Sequence, residues 1–166
     1  MIVSNASTLI LLAKAELLGA FLAELGERVT VPKEVERECC EEKRTPDALV
    51  IRGAIDEKKI AVQPVKATKL YGKIRADFSL GSGEAEALTL AVSRRARLFM
   101  TDDKKAIQAS KLLKLPFATA LGILVRMHEK GLLGKKEALT KLEALRRHGR
   151  YSRDIIDDAR SRLEAR

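Results

Sequence analysis

Short apolar runs recur along the chain, each followed by a longer stretch in which apolar residues return every three or four positions. Residues 1–4, 29–31 and 98–100 are too short for helices and too apolar for surface loops, so they read as buried strands. Residues 60–62 and 116–118 are weaker extended pieces. Helices are expected from residue 9, over 17–25 up to Gly26, and after Pro32. Further helices are expected over 46–57 behind Thr45-Pro46, from Ser82 as N-cap, and over 104–114, 119–130 and 135–148. The last runs from Ser152 to the end of the chain. Strands alternating with helices predict an α/β domain with a short, mainly parallel sheet and a helical C-terminus. Residues 66–75 carry Lys66, Lys69, Lys73 and Arg75 with Tyr71 among them, and read as a solvated linker or hairpin arm. The alternative is a segment that holds a phosphate backbone.

Helical phase then singles out particular acids. Glu84 lines up with Ala87, Leu88 and Ala91, a stripe that should face the core, whereas Glu86 shares its face with Thr89 and Ser93 and reads as solvated. Glu38 falls in line with Val35 and Cys39, while Glu34, Glu36, Glu41 and Glu42 read as solvated. A carboxylate on a buried stripe costs free energy unless a cation, a donor or a helix dipole compensates. Asp102 and Asp103 directly follow a buried strand. Asn5 and Ser7 follow the first one, at the carboxyl end of the sheet, where such folds place their sites. Ser7 reads equally well as a helix cap.

Composition narrows the partners. At 166 residues the size suits one domain, and a net charge of +9 favours an acidic partner, either nucleic acid or a negatively charged protein segment. No apolar run approaches the roughly 18 residues of a spanning helix, and the first residues enter structure directly, so a cytoplasmic protein is expected. Cys39 and Cys40 are neighbours, which suggests neither a disulfide framework nor a zinc site. Aromatics at 4% and no Trp argue against base stacking as the main mode of recognition. Arg146, Arg147, His148, Arg150 and Arg153 form a positive cluster, most simply a solvated surface. Taken together, Asn5, Ser7, Glu38, Glu84, Asp102 and Asp103 can converge above one sheet edge. Packed carboxylates repel one another unless a divalent cation such as Mg²⁺ or Mn²⁺ neutralises them, an arrangement suited to phosphodiester hydrolysis.

The strings Ile2-Val3-Ser4-Asn5-Ala6-Ser7-Thr8-Leu9-Ile10, Val31-Pro32 with Val35 and Glu38, Gly83-Glu84-Ala85-Glu86-Ala87 and Thr101-Asp102-Asp103-Lys104-Lys105 carry a resemblance over roughly the first 130 residues. In that order they resemble a PIN domain of the VapC-like toxin branch. The resemblance implies a three-layer α/β/α domain over 1–130 with a helical extension over 131–166 packed on it. It further implies a Mg²⁺- or Mn²⁺-dependent endoribonuclease, frequent homodimers, and inhibition by an antitoxin that is acidic or DNA-binding. Glu38, Glu84 and one of Asp102 and Asp103 would be the metal-coordinating acids and Ser7 a polar neighbour. Lys73, Arg75, Lys104 and Lys105, read from their charge, are the expected nucleic-acid contacts. Asn5 departs from the family, which usually has aspartate there. An amide oxygen can ligate a hard cation but carries no charge. The alternative reading is therefore a catalytically weakened module that binds nucleic acid or an antitoxin. A phosphoacceptor role for Asp102 or Asp103 in a receiver-like domain is a third and weaker reading.

Overall fold

The computed structural model describes residues 1–41 and 44–165. Its centre is a sheet of β1 (Ile2–Ser4), β2 (Val29–Pro32), β3 (Ile60–Gln63), β4 (Leu98–Met100) and β5 (Phe117–Ala118), in the order β3-β2-β1-β4-β5 with every pairing parallel. Ile2 pairs with both Val29 and Leu98, so β1 is the axis of the sheet. A parallel strand covered on both faces has no solvent side, which is why these runs are apolar without alternation. After β1 the chain moves towards β2 and β3, then crosses back to β4 on the other side. The carboxyl ends of β1 and β4 therefore flank the point where the winding reverses, the place where open α/β sheets leave a crevice.

The helices are α1 (Ala6–Lys14), α2 (Leu18–Glu24), α3 (Lys33–Glu36), α4 (Pro46–Asp56), α5 (Lys69–Phe78) and α6 (Ser82–Ser93). They continue with α7 (Lys104–Leu112), α8 (Ala120–Glu129), α9 (Lys135–His148) and α10 (Arg153–Glu164). A π-helical turn, Arg37–Glu41, extends α3. One core joins Val3 and Phe99 of the sheet to Leu9 and Leu12 of α1, Leu88 of α6, and Leu142, Leu145 and Leu163 of the last two helices. The C-terminal helices thus share the main core. Among the described residues no single helix is long and apolar enough to cross a membrane.

Several local expectations change. The first helix begins at Ala6, so the segment from Asn5 to Thr8 is no free turn, and Asn5 itself is the flanking residue. Pro32 ends β2 rather than opening α3. Residues 69–78 form a helix, capped by Thr68 Oγ1 accepting from Tyr71 N, where a linker or hairpin arm was expected. The N-cap of α6 is Gly81, and Ser82 is its first residue. On α7 the buried positions are Ala106, Ala109 and Ser110, while Leu113 just past its end is exposed. Glu42 lies outside the described residues.

Candidate active site

The backbone first brings Asn5 and Thr101 side by side. Asn5 N–H donates to Met100 O (3.1 Å) and Thr101 N–H to Ala118 O (3.0 Å), which prolongs the parallel ladder past the strand ends. Both side chains are buried, and buried polar groups need partners. Asn5 Nδ2 donates to Thr101 Oγ1 at 2.6 Å, and Asn5 Oδ1 accepts from the Ser7 hydroxyl at 2.8 Å. Ser7 Oγ in turn accepts from Asp102 N–H at 3.0 Å. Ser7 is therefore the link between the β1 and β4 ends, not a cap.

Asp102 sits at the middle of this edge. Its Oδ1 accepts from the Thr8 hydroxyl (2.6 Å) and from Ala120 N–H (2.9 Å), the first residue of α8. Its Oδ2 accepts from the Tyr151 hydroxyl. Burial pushes the Asp102 carboxyl above the usual aspartate range, and the Thr8, Tyr151 and Ala120 donors pull it part of the way back. The amino end of the α8 dipole, on which Asp102 sits through Ala120 N–H, also favours the charged form. Burial raises the Tyr151 phenol strongly, with the Asp102 charge adding to the rise and the Leu121 backbone N–H opposing it. Tyr151 stays neutral and donates. Asp103 does something else: its Oδ2 accepts from Ala106 N–H at 2.9 Å and caps α7, while its own N–H donates to Thr101 Oγ1.

A second group of acids gathers at the start of α6. The Glu38 carboxylate, carried by the π-helical turn, lies where a side chain at Gly83 would begin. A Cβ there would stand 2.0 Å from Glu38 Oε1 and 2.7 Å from its Cδ. Only glycine leaves that seat open. Glu84, the next residue, turns back so that its Oε2 accepts from Gly81 N–H at 3.0 Å, half of a capping box. Glu34 and Glu86, expected to be solvated, are half-buried instead. Glu34 accepts from Ser82 Oγ (3.1 Å) and pairs with Arg37, which holds its carboxyl below the usual range. Burial pushes Glu86 up, although its Oε2 accepts from Glu34 N–H at 3.4 Å. These contacts dock α3 on α6, and helix phase alone could not show them. Glu36 pairs with Arg52 at 2.9 Å.

Lys73, Arg75, Lys104 and Lys105 are all exposed, and Lys105 Nζ reaches Ser79 O at 3.3 Å. A cavity of about 670 Å³ is lined by Phe21, Leu25, Ile123, Met127 and Arg126, together with Ile2 and Leu98 at the starting ends of their strands. It therefore lies away from the acids.

The donors match a hard divalent cation in kind, being oxygens only. Their arrangement does not match one. Among the described residues no three His, Cys, Asp or Glu side chains come together in a way that could hold a metal ion. Both Asp102 oxygens, one Asp103 oxygen and one Glu84 oxygen are already hydrogen-bond acceptors. Sequence reasoning found Asn5, Ser7 and Asp102 as neighbours of one edge but missed Thr8, Thr101 and Tyr151. The signal for Thr101 was its place between a buried strand and two aspartates. Tyr151 had only a glycine two residues before it.

A parallel sheet with its buried polar side chains gathered at the winding reversal defines the class of α/β domains that work on ligands at that edge. The chain belongs to the PIN-domain family: the family model described as a PIN domain matches residues 1–165. PIN domains are generally nucleases, so the fold is of the nuclease type and a hydrolase is the general activity it supports. A search of the curated proteins gives no match to this chain.

Proposed function

We propose that the chain is an endoribonuclease that hydrolyses RNA phosphodiester bonds with Mg²⁺ or Mn²⁺, and that it serves as the toxin of a toxin–antitoxin pair. The observation that supports this reading most is the seat at Gly83. The Glu38 carboxylate, from the turn after α3, rests against Gly83 in the first turn of α6, the turn that also carries Glu84, at the expense of any side chain at position 83. In such chemistry a divalent cation activates water and neutralises the charge that develops on the phosphoryl oxygens. The chain's own contribution is negative charge from Glu38, Glu84 and Asp102, framed by exposed Lys73, Arg75, Lys104 and Lys105, which attract the backbone.

The test is cleavage of single-stranded and structured RNA at neutral pH. Cleavage is expected to stop with EDTA and in Glu84→Gln, whose amide oxygen can still accept from Gly81 N–H and keep the fold. A Glu84→Gln protein that cuts at the normal rate refutes the assignment. The toxin role is supported if the neighbouring reading frame encodes a small protein with a DNA-binding N-terminus. A second reading, a module that binds RNA without cutting it, is favoured by Asn5: its amide is uncharged and engaged at both ends. Salt-dependent RNA binding by a folded protein with no cleavage in Mn²⁺ decides for that reading.

A further inference from the structure

We propose that the turn between α9 and α10 carries the RNA backbone past the acid edge, with Arg147, Arg150 and Arg153 as phosphate contacts. The inference rests on the RNA reading above, in either its cutting or its binding form, and extends the binding surface to the C-terminal helices. In sequence these arginines read as a solvated surface; the fold sets them beside Asp102.

The Tyr151 hydroxyl donates to Asp102 Oδ2, so the turn is fastened at the carboxyl end of β4. A Cβ at Gly149 would stand 2.5 Å from Tyr151 Cε2, so glycine lets the ring lie across the turn and holds the turn against this edge. Arg150 directly precedes Tyr151, Arg147 lies in the last turn of α9, and Arg153 is the first residue of α10. Residues 146–153 hold four arginines and one histidine but no acid, and the first acid beyond them is Asp154. Arg146 pairs with Glu143 at 2.9 Å. Arg147, Arg150 and Arg153 are exposed; Arg153 reaches Asp157 only at 4.0 Å, and no acid pairs with Arg147 or Arg150 among the described residues. Lys104 and Lys105 open α7, which packs on α5 and α6, whereas the turn belongs to helices packed on α1 and α8. Cations from two groups of helices therefore flank Asp102, whose own oxygens are turned to donors within the fold. A guanidinium presents paired N–H donors that match two phosphate oxygens. Phosphate charge repeats along a strand, so one RNA can touch both flanks and release counterions at each.

The experiment is binding of a fluorescein-labelled single-stranded RNA of mixed sequence to the full chain at ~50 to ~200 mM salt, with circular dichroism to confirm folding. Arg147→Gln, Arg150→Gln and Arg153→Gln together should weaken binding about tenfold and flatten the log–log salt slope by about 2, about 0.7 for each lost contact. Arg147→Lys, Arg150→Lys and Arg153→Lys together keep the charge and should restore the slope. The same charge loss at the amino end of the sheet, by Arg94→Gln, Arg95→Gln and Lys130→Gln together, should leave the slope where it was; these three cations are exposed at the ends of α6 and α8. A slope unchanged by the glutamines in the turn, not recovered by the lysines, or lowered equally by both glutamine triples overturns the proposal. So does a turn variant that keeps its RNA affinity but no longer binds poly-glutamate, which makes the cluster a contact for an acidic protein segment. In each of these cases RNA binding by the unaltered protein leaves the RNA reading standing, whereas no RNA binding by any of the proteins overturns both.

Discussion

Removing the Tyr151 hydroxyl is the perturbation that interrogates the most interlocked part of the structure. Tyr151→Phe keeps the ring against Gly149 and leaves no large cavity, so its cost comes from Asp102 Oδ2 losing its donor. A hydrogen bond to a charged group contributes about 1.5–3 kcal/mol, against about 0.5–1.5 kcal/mol for a neutral pair. At pH 7 the substitution should therefore lower stability by about 1.5–3 kcal/mol, or about 3–12 °C in Tm for a domain of this size. The pH dependence has a definite sign. Burial raises the Asp102 carboxyl above its ordinary 3.8, so the folded state accommodates the neutral form better. Stability from this group is complete below that ordinary value and falls as pH rises through the raised one. The Tyr151 donor limits the fall, and without it the carboxyl rises further. The gap between the two proteins should open with pH and shrink to about 0.5–1.5 kcal/mol in acid, once Asp102 is neutral. Urea unfolding at a series of pH values, with Asp102→Asn to complete a double-mutant cycle, measures it. Coincident unfolding curves at pH 7, or a gap that widens in acid, refute the hydrogen bond and the reasoning built on it.

Gly83→Ala should cut RNA as poorly as Glu38→Gln, because its Cβ takes the carboxylate's place. Its stability should stay within about 1 kcal/mol, since an alanine gains helix propensity while a half-buried glutamate loses its seat. Asn5→Asp removes the donor to Thr101 Oγ1 in a fully buried site and should lower stability by about 1–3 kcal/mol without metal. Added Mn²⁺ should restore part of that loss by binding the new charge, and a thermal shift with and without Mn²⁺ reads both effects. Charge removal at Lys73, Arg75, Lys104 and Lys105 should weaken RNA binding across sequences and flatten its salt dependence by about 0.7 in log–log slope per lost phosphate contact to a single strand. A binding assay at several salt concentrations checks this, and an unchanged slope counts against these residues as contacts.

The strands and most helices were legible because parallel strands must be apolar on both faces and because Thr45-Pro46, Gly131 and Ser152 mark helix boundaries locally. The edge of the sheet was legible for a similar reason. A polar residue straight after a buried strand, as with Asn5 and Asp102, has nowhere to go but the carboxyl end. Glu34 and Glu86 failed because the face of a helix that looks polar in sequence is buried if another polar helix docks on it, and Ser82 and Arg37 supply that compensation. Tyr151 failed for a different reason. Its partner is distant in sequence, and a single aromatic amid arginines carries no periodicity to reveal it.

The shared core also sets how this chain can be shortened. A fragment ending after α8 would shed Leu142, Leu145 and Leu163 from beneath α1 and α8, together with the phenol above Asp102. Such a truncation would leave raw apolar surface and an acid robbed of its shelter. The tail is thus as much a keystone of the sheet and its acid edge as any strand, and useful deletions should be sought inside loops instead of at that end.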